Sequence, residues 1–227
     1  MSMEGAALMK ERIGAVYSIA KENQPISDCT VSKETYSKGD NYITHFSMAA
    51  DTDISAEIYS DHKLLIVADG ELTVYAPGLN KEWTLQPGEI LATPIQTPVG
   101  MRTKIDTVHT EISMGRTLRM NQAIHVGEGF KLADLVPYQE GKIVNMDVAH
   151  NDKMKFVIMA FDAGTGLAEH AAPGEALIFA PDGEGVIGYE GKEHTIKAGE
   201  NFAFAKGGVH WVKAEKRFKM ALLLTLE

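Results

Sequence analysis

One property of the sequence constrains the fold more than any other: the chain matches itself when it is shifted by 113 positions. Asp-Gly-Glu occurs at 69–71 and again at 182–184. Beyond the turn-rich stretch 77–80 the offset becomes 111, so that 81–85 (Lys-Glu-Trp-Thr-Leu) matches 192–196 (Lys-Glu-His-Thr-Ile). Insertions in turns cost little stability, which explains why the register changes there. A single register broken once at a turn predicts two copies of one structural unit.

Each copy is predicted to consist of short strands. Turn residues recur at strand-like spacing, and Asp69-Gly70 and its repeat equivalent Asp182-Gly183 are typical of hairpin turns. The run 176–180 is apolar at every position, which predicts a strand that is buried on both faces. One face is expected to fill a barrel, and the other is expected to meet the second copy.

The repeat divides the chain into a first domain, 1–114, and a second domain, 115–227. Gly115 and Gly127 interrupt the pattern at the boundary, and domains of this size can each bury a core. Two equivalent units in one chain predict an intramolecular pseudo-dimer of barrels. Whether two chains also associate into a homodimer stays open.

The N-terminal segment is predicted to form a short amphipathic helix between Ala6 and Ala20, with Leu8, Ile13 and Val16 on one side. Charged residues interrupt its apolar positions, so it does not read as a signal peptide. No stretch approaches the roughly 18 consecutive apolar residues of a membrane helix. Cys29 is the only cysteine, which excludes an intramolecular disulfide and fits a reducing compartment. We therefore expect a cytoplasmic protein.

The charge balance limits the classes of partner. The formal net charge is −9, and no cluster of Lys and Arg offsets it. A surface this acidic repels phosphate groups, so neither nucleic acid nor an anionic membrane is an expected partner. The expected partner is a small molecule.

Glycines and histidines of the second copy follow a spaced pattern. The pattern consists of Gly164, His170, Gly183, Gly199, Gly207 and His210. It resembles the two motifs of the cupin superfamily, G-x5-H-x-H-x3,4-E-x6-G and G-x5-P-x-G-x2-H-x3-N. The resemblance implies an all-β fold of two jelly-roll (RmlC-like) barrels in tandem, with a short N-terminal helix. In many members the three histidines and the glutamate of these motifs hold a metal.

The second copy departs from the cupin pattern at the metal positions. Ala172 stands in the slot of the second histidine, and Ala176 stands in the slot of the glutamate. Two of the four ligands, His170 and His210, are kept. Only the second copy is therefore a candidate for a ligand or metal pocket.

Three interpretations of His170 and His210 stay open. A divalent transition metal (Zn, Fe, Mn or Ni) would be held by both histidines with Glu175 or water, if a bend at 173–174 turns Glu175 inward. A metal-free polar pocket would bind an anionic or hydroxylated ligand, with Trp211 as a wall. The third interpretation is a pair of hydrogen-bonded structural histidines.

The first copy keeps the frame and none of the ligands, so no metal is expected in the N-terminal barrel. Glu57, Tyr59 and Lys63 occupy the ligand slots of the first motif, and Val99 takes the later histidine slot. Glu57 and Lys63 either form a buried pair, with Tyr59 bonding the remaining oxygen, or are solvated at a wide barrel mouth. His194 of the second copy matches a tryptophan and is expected to be a packed core residue.

Two classes of function follow from these residues. The first is a small-molecule-binding protein with its pocket around His170 and His210. The alternative is a metal-dependent enzyme (an oxygenase, isomerase or lyase) that acts on a small polar metabolite. No catalytic residue is assigned, because one barrel type hosts many functions and the departures fall on the chemical positions.

Overall fold

The computed structural model describes residues 9–226 and is built mainly of antiparallel strands. The predicted fold class is confirmed: two barrels in tandem follow a short N-terminal helix, α1 (Ile19–Glu22). Short 3-10 turns occur at Pro77–Leu79, Gly115–Thr117 and Leu132–Leu135. No helix among the described residues has the length and apolar character needed to cross a membrane.

The predicted position of the N-terminal helix was wrong. Among the described residues, those before position 19 are not helical, and Leu8 lies outside the described part of the chain. Ile13 makes a bridge to Ala203, and Tyr17 makes a bridge to Asn201. Pairing with a sheet of the other half of the chain therefore outweighs the local helical periodicity of this segment.

The first barrel is formed by the strands up to residue 114. They are β1 (Thr30–Lys38), β2 (Asn41–Met48), β3 (Asp53–Ile58), β4 (Lys63–Asp69), β5 (Leu72–Ala76), β6 (Lys81–Leu85), β7 (Glu89–Ala92), β8 (Pro98–Arg102) and β9 (Thr107–Met114). One sheet has the order β1-β2-β9-β4-β7, and the facing sheet has the order β3-β8-β5-β6.

The second barrel follows the same plan. Its part of the chain contains β10 (Arg119–Met120), β11 (Gly129–Lys131), β12 (Ile143–His150), β13 (Met154–Phe161), β14 (Gly166–Ala171), β15 (Glu175–Tyr189), β16 (Lys192–Lys197), β17 (Asn201–Phe204), β18 (Val209–Lys213) and β19 (Phe218–Thr225). The strands pair in the order β10-β12-β13-β19-β15-β18-β14, and β16 and β17 also pair with β15. The long strand β15 thus takes part in both sheets of this barrel.

The two barrels bury their outer sheet faces against each other. Along β15, Ala176 and Ile178 point into the second barrel, whereas Leu177 joins the cluster between the barrels. Leu64 on β4 occupies the equivalent place in the first barrel, and both leucines are almost fully buried. The predicted burial of both faces of the run 176–180 is borne out, except that Phe179 is only half-buried.

Each half of the chain also lends a segment to a sheet of the other half. Phe130 on β11 pairs with Ile90 on β7 of the first barrel. Tyr17 pairs with Asn201 on β17 of the second barrel, through backbone hydrogen bonds of 3.0 and 2.7 Å. The repeat relates Tyr17 to Phe130 and Ile90 to Asn201, so the two exchanges are symmetric equivalents. The domain boundary at residue 114 stays a prediction. Each exchanged segment lies on one side of this boundary and pairs with a sheet on the other side.

A buried hydrogen-bonded pair of side chains fixes the first exchanged segment. The carboxylate of Glu11 lies 2.8 Å from His45 Nε2, and the two side chains are 2% and 0% exposed. Tyr17 donates a hydrogen bond to the other carboxylate oxygen at 2.7 Å. Burial alone would raise the pKa of Glu11, but the hydrogen bonds from His45 and Tyr17 bring it below its usual value. The charge is therefore satisfied where it is buried.

The packing between the barrels makes a first prediction. Leu177→Ala should lower the free energy of unfolding by about 2 to 5 kcal/mol, because it leaves a cavity between two sheets that cannot close freely. Urea denaturation measures this loss. The control is Leu79→Ala, at a leucine that is 48% exposed, which should change stability by less than about 0.5 kcal/mol. Equal effects of the two substitutions would contradict the proposed role of the interface.

Candidate functional site

The structure brings His170 and His210 together at one end of the second barrel. They face each other across the pair β14–β18, and their ring centroids lie 4.2 Å apart. His210 is buried and stacks on Phe204 at 4.0 Å, whereas His170 is exposed. One imidazole is thus held in the barrel, and the other covers it from the solvent side.

Backbone carbonyls orient both rings. Nδ1 of His170 lies 2.8 Å from the carbonyl of Ala168, and Nδ1 of His210 lies 3.1 Å from the carbonyl of Gly208. A carbonyl can only accept, so each Nδ1 carries the hydrogen and each Nε2 carries the lone pair of the neutral ring. Burial lowers the pKa of His210 below its usual value, in spite of the Gly208 carbonyl. The buried ring is therefore a hydrogen-bond acceptor at neutral pH.

Glu175 does not join the two histidines. It shares the outward face of β15 with Leu177, and its carboxylate accepts a hydrogen bond of 2.7 Å from the amide of Met9. The expected inward turn does not occur, because Gly174 is held against β19: a Cβ there would lie 1.7 Å from the carbonyl oxygen of Thr225. The bend is thus fixed by close backbone contact.

Trp211 lies on the other side of its strand from His210. Its indole ring packs over Gly188, where an added Cβ would lie 2.0 Å from the ring. Side chains alternate along a strand, so the ring covers the outside of the barrel and does not form a wall beside His210. His194 packs against Phe202 at 5.1 Å, as a core residue would.

The donor set at this place does not fit a catalytic transition metal. Ala172 and Ala176 are buried and offer no ligand atom. Within residues 9–226, no group of three or more His, Cys, Asp or Glu side chains is arranged to hold a metal ion. Catalytic zinc sites usually have three protein ligands, and non-haem iron sites use two histidines and a carboxylate. The two imidazoles therefore act as a pair without a third protein ligand.

Comparisons with known proteins identify the fold and a domain family that matches part of the chain. The family model of the cupin domain matches residues 157–226, which contain both histidines. A cupin 2 conserved barrel domain protein from Leptotrichia buccalis is 26% identical, with a TM-score of 0.82 over 96% of this chain and 100% of that chain. Residues 157–226 thus match a cupin domain, and the chain shares the fold of the cupin 2 barrel protein. None of the curated proteins matches it.

More distant structures share only the fold with this chain. The protein Ylba from E. coli is 13% identical, with a TM-score of 0.59 over 98% of this chain and 94% of that chain. A mutant salicylate 1,2-dioxygenase from Pseudoaminobacter salicylatoxidans is 12% identical, with a TM-score of 0.63 over 99% of this chain and 86% of that chain. At these identities the likeness carries no information about the reaction.

The first barrel of this chain contains a polar cluster that the sequence analysis missed. Lys63 is buried, and its ammonium lies 2.5 Å from Asp61 and 3.0 Å from Ser113 Oγ. Glu57 is exposed, which agrees with the solvated alternative for this residue. The alternative of a buried Glu57–Lys63 pair is wrong, because Lys63 pairs with Asp61, in the turn that leads directly into its strand.

A second buried acid, Glu111, lies in the same barrel. Tyr42 donates a hydrogen bond of 2.5 Å to Glu111 Oε1, and Glu111 is only 5% exposed. Burial raises the pKa of Glu111 above its usual value, against the opposing effects of the Tyr42 hydrogen bond and the Lys63 charge. The rings of Tyr42 and Tyr59 lie 5.0 and 5.8 Å from the ammonium of Lys63. Aromatic faces and one carboxylate thus surround the cation.

The repeat shows how far the two barrel interiors have diverged. The polar residues of the first barrel correspond to apolar residues of the second in these pairs: Lys63 to Ala176, Glu111 to Leu222, Ser113 to Leu224 and His109 to Met220. The frame of strands is shared, but the first barrel is polar where the second is filled with hydrocarbon. The sequence does show this difference. The polar residues of the first copy occupy the alternate positions 109, 111 and 113 of a single strand, β9, and alternate positions share one face of a strand.

The ion pair makes a second prediction. Lys63→Met should destabilise the protein by about 3 to 5 kcal/mol, because it leaves Asp61 buried without its cation. The double variant Asp61→Asn/Lys63→Met removes both charges and should recover most of that loss. Urea denaturation of the two variants measures the difference. If both lose equal stability, the cost comes from packing and the ion pair is not the cause.

The burial of His109 leads to a third prediction, on the pH dependence of stability. It stacks on Phe46 at 5.0 Å, and its two ring nitrogens have no partner among the described residues. Burial lowers its pKa to about 3. The imidazole takes up a proton near pH 6.5 in the unfolded chain but not in the folded chain. The contribution of the neutral His109 ring to the free energy of unfolding is therefore fully present above that pH and is lost on acidification. The loss should reach about 2 kcal/mol at pH 5.0.

The test of this prediction uses the residue found at the equivalent place in the second barrel. In His109→Met, urea unfolding at pH 7.5 and pH 5.0 should differ by about 2 kcal/mol less than in the wild-type protein. The control is His125→Ala, at an exposed histidine, which should keep the wild-type difference. An unchanged pH dependence in His109→Met would show that this imidazole is protonated in the folded protein.

Proposed function

We propose that this protein binds a small hydroxylated molecule at the mouth of the second barrel, through His170 and His210. The observation that carries the proposal is the hydrogen bonding of the two rings: both Nδ1 atoms donate to the backbone. Both Nε2 atoms are then acceptors, and neither has a hydrogen-bond partner among the described residues. Two neighbouring acceptors suit the hydroxyl groups of a neutral ligand.

The chemistry of the rings favours a hydroxylated ligand over an anion. An anion would require protonated imidazoles, but the pKa of His210 is lowered by its burial. The adjacent ring of His170, 4.2 Å away, would be repelled by a second positive charge. Neutral rings accept hydrogen bonds, and hydroxyl groups donate them.

The alternative function is a metal-dependent cupin enzyme. Its support is the pair of imidazoles that occupies two of the four ligand positions of the family pattern. Its weakness is the missing third ligand, since Glu175 binds the Met9 amide and not the histidine pair. A dioxygenase activity such as that named for the Pseudoaminobacter protein is not proposed, because the 12% identity reflects the fold alone.

The experiment compares ligand binding with metal content in untagged protein. Thermal unfolding is measured with neutral hydroxylated probes: polyols, monosaccharides and catechol. A probe that binds the folded state should raise the melting temperature of the wild-type protein and of the exposed-histidine control His125→Ala. The increase should be absent in His170→Ala, because one of the two acceptors is lost.

Elemental analysis of the same samples decides between the two functions. The binding function predicts far less than one transition metal per chain. About one zinc, iron, manganese or nickel per chain, retained in His125→Ala and lost in His170→Ala, would overturn the proposal in favour of the enzyme. No stabilisation by any hydroxylated probe would also overturn it.

A further inference from the structure

An open cavity lies at the mouth of the first barrel, at the same end as the ligand slots of the family pattern. It has a volume of about 550 Å³ and is lined by Ile58, Tyr59, Ser60, Gln96 and Arg116. These residues come from the end of β3, the loop before β8 and the turn after β9. Three separate parts of the chain therefore converge on one opening.

The ion pair below the opening limits how deep a ligand can reach. The ring of Tyr59 lines the cavity and lies 5.8 Å from the ammonium of Lys63. Lys63 and Asp61 are bonded to each other, with side chains that are 9% and 11% exposed. Lys63 stands in one of the ligand slots of the cupin pattern, and the pair occupies that place below the cavity. A ligand is thus confined to the rim.

The unused hydrogen-bonding groups at the rim include strong donors. Asp61 already accepts hydrogen bonds from Lys63 and from Ser60, the latter at 2.6 Å. The guanidinium of Arg116 is exposed and has no ion pair or hydrogen bond within the described part of the chain, and the same holds for the side-chain amide of Gln96. A ligand rich in acceptors complements such a rim, and a guanidinium matches a carboxylate in geometry and charge.

The backbone at Gln96 adds a second, independent observation. Gln96 has a φ of 57°, in the left-handed region that glutamine rarely adopts. Its amide donates a hydrogen bond of 3.0 Å to the carbonyl of Tyr59, which ties the two rim residues together. Strained backbone of this kind concentrates at binding sites, where it holds a side chain in a required place.

The remaining wall is apolar. Ile58 is 68% exposed, the largest exposed fraction among the large hydrophobic side chains of the described residues. It lines the opening beside the aromatic ring of Tyr59. An apolar or aromatic body would cover this exposed hydrocarbon on binding.

We propose that the mouth of the first barrel is a second, metal-free binding site for a small carboxylic acid. The carboxylate binds Arg116 and the side-chain amide of Gln96, and the apolar body of the acid packs on Ile58 and Tyr59. The site differs from the histidine pair in position and in chemistry, because it offers donors where the histidines offer acceptors. It does not depend on the function proposed above.

The test is calorimetric titration of the full chain with benzoate, which joins a carboxylate to an aromatic body. Saturable binding is expected for the wild-type protein, and Arg116→Gln should weaken it about tenfold or more, since a hydrogen-bonded charge is lost. The matched control is Arg119→Gln, which makes the same charge change at an exposed arginine three positions away and should bind as the wild type does. Benzyl alcohol, which lacks the carboxylate, should not bind to His170→Ala, in which the histidine pair is removed.

A second variant keeps the test independent of Arg116. Gln96→Gly removes the amide and suits the backbone conformation at this position, so the fold is kept and benzoate binding is weakened. His170→Ala should bind benzoate normally, which separates this site from the histidine pair. The proposal is overturned if benzoate does not bind saturably, if Arg119→Gln weakens binding as much as Arg116→Gln, or if His170→Ala abolishes it.

Discussion

The burial of two outer sheet faces against each other is the constraint on which the rest of this structure depends. A jelly-roll barrel has an inner face and an outer face, and both faces of β4 and β15 carry large hydrocarbon side chains. The cluster between the barrels shields the outer faces of both strands from water. The exchange of Tyr17 and Phe130 between the sheets then ties the barrels to each other at equivalent places. Hydrogen bonds with His45 and Tyr17 satisfy the Glu11 carboxylate that this exchange buries.

Because the space between the barrels carries so much of the hydrophobic core, the two interiors were free to diverge. The second interior is filled with aromatic and aliphatic side chains, and its histidine pair lies at the mouth. The first interior holds Lys63, Asp61 and Glu111 in hydrogen-bonded arrangements, which makes their burial tolerable. The two mouths therefore present opposite chemistry: one offers imidazole acceptors, and the other offers guanidinium and amide donors.

The differences between the sequence expectations and the structure have separate physical causes. Glu175 and Trp211 are neighbours of ligand positions along the chain, but side chains alternate across a strand and both residues point away from the histidine pair. The helix predicted near the N-terminus followed a local period, and pairing of Tyr17 with a distant strand replaced it. A Glu57–Lys63 pair was one of two alternatives at the ligand slots of the family pattern, whereas the nearer Asp61 pairs with Lys63. Only the N-terminal segment was decided by a contact with a distant part of the chain.

The sequence by itself determined the all-β architecture, the two copies and the loss of ligands at particular slots, because strand periodicity, turn residues and repeat register are local properties. It also determined that His170 and His210 were the histidines to follow in the second copy. Only the tertiary structure decided that these rings lie 4.2 Å apart, that Tyr42 bonds Glu111, and that Arg116 and Gln96 share one opening. Those relations join residues on separate strands and loops, and long-range pairing of this kind leaves no mark in the spacing of a single sequence.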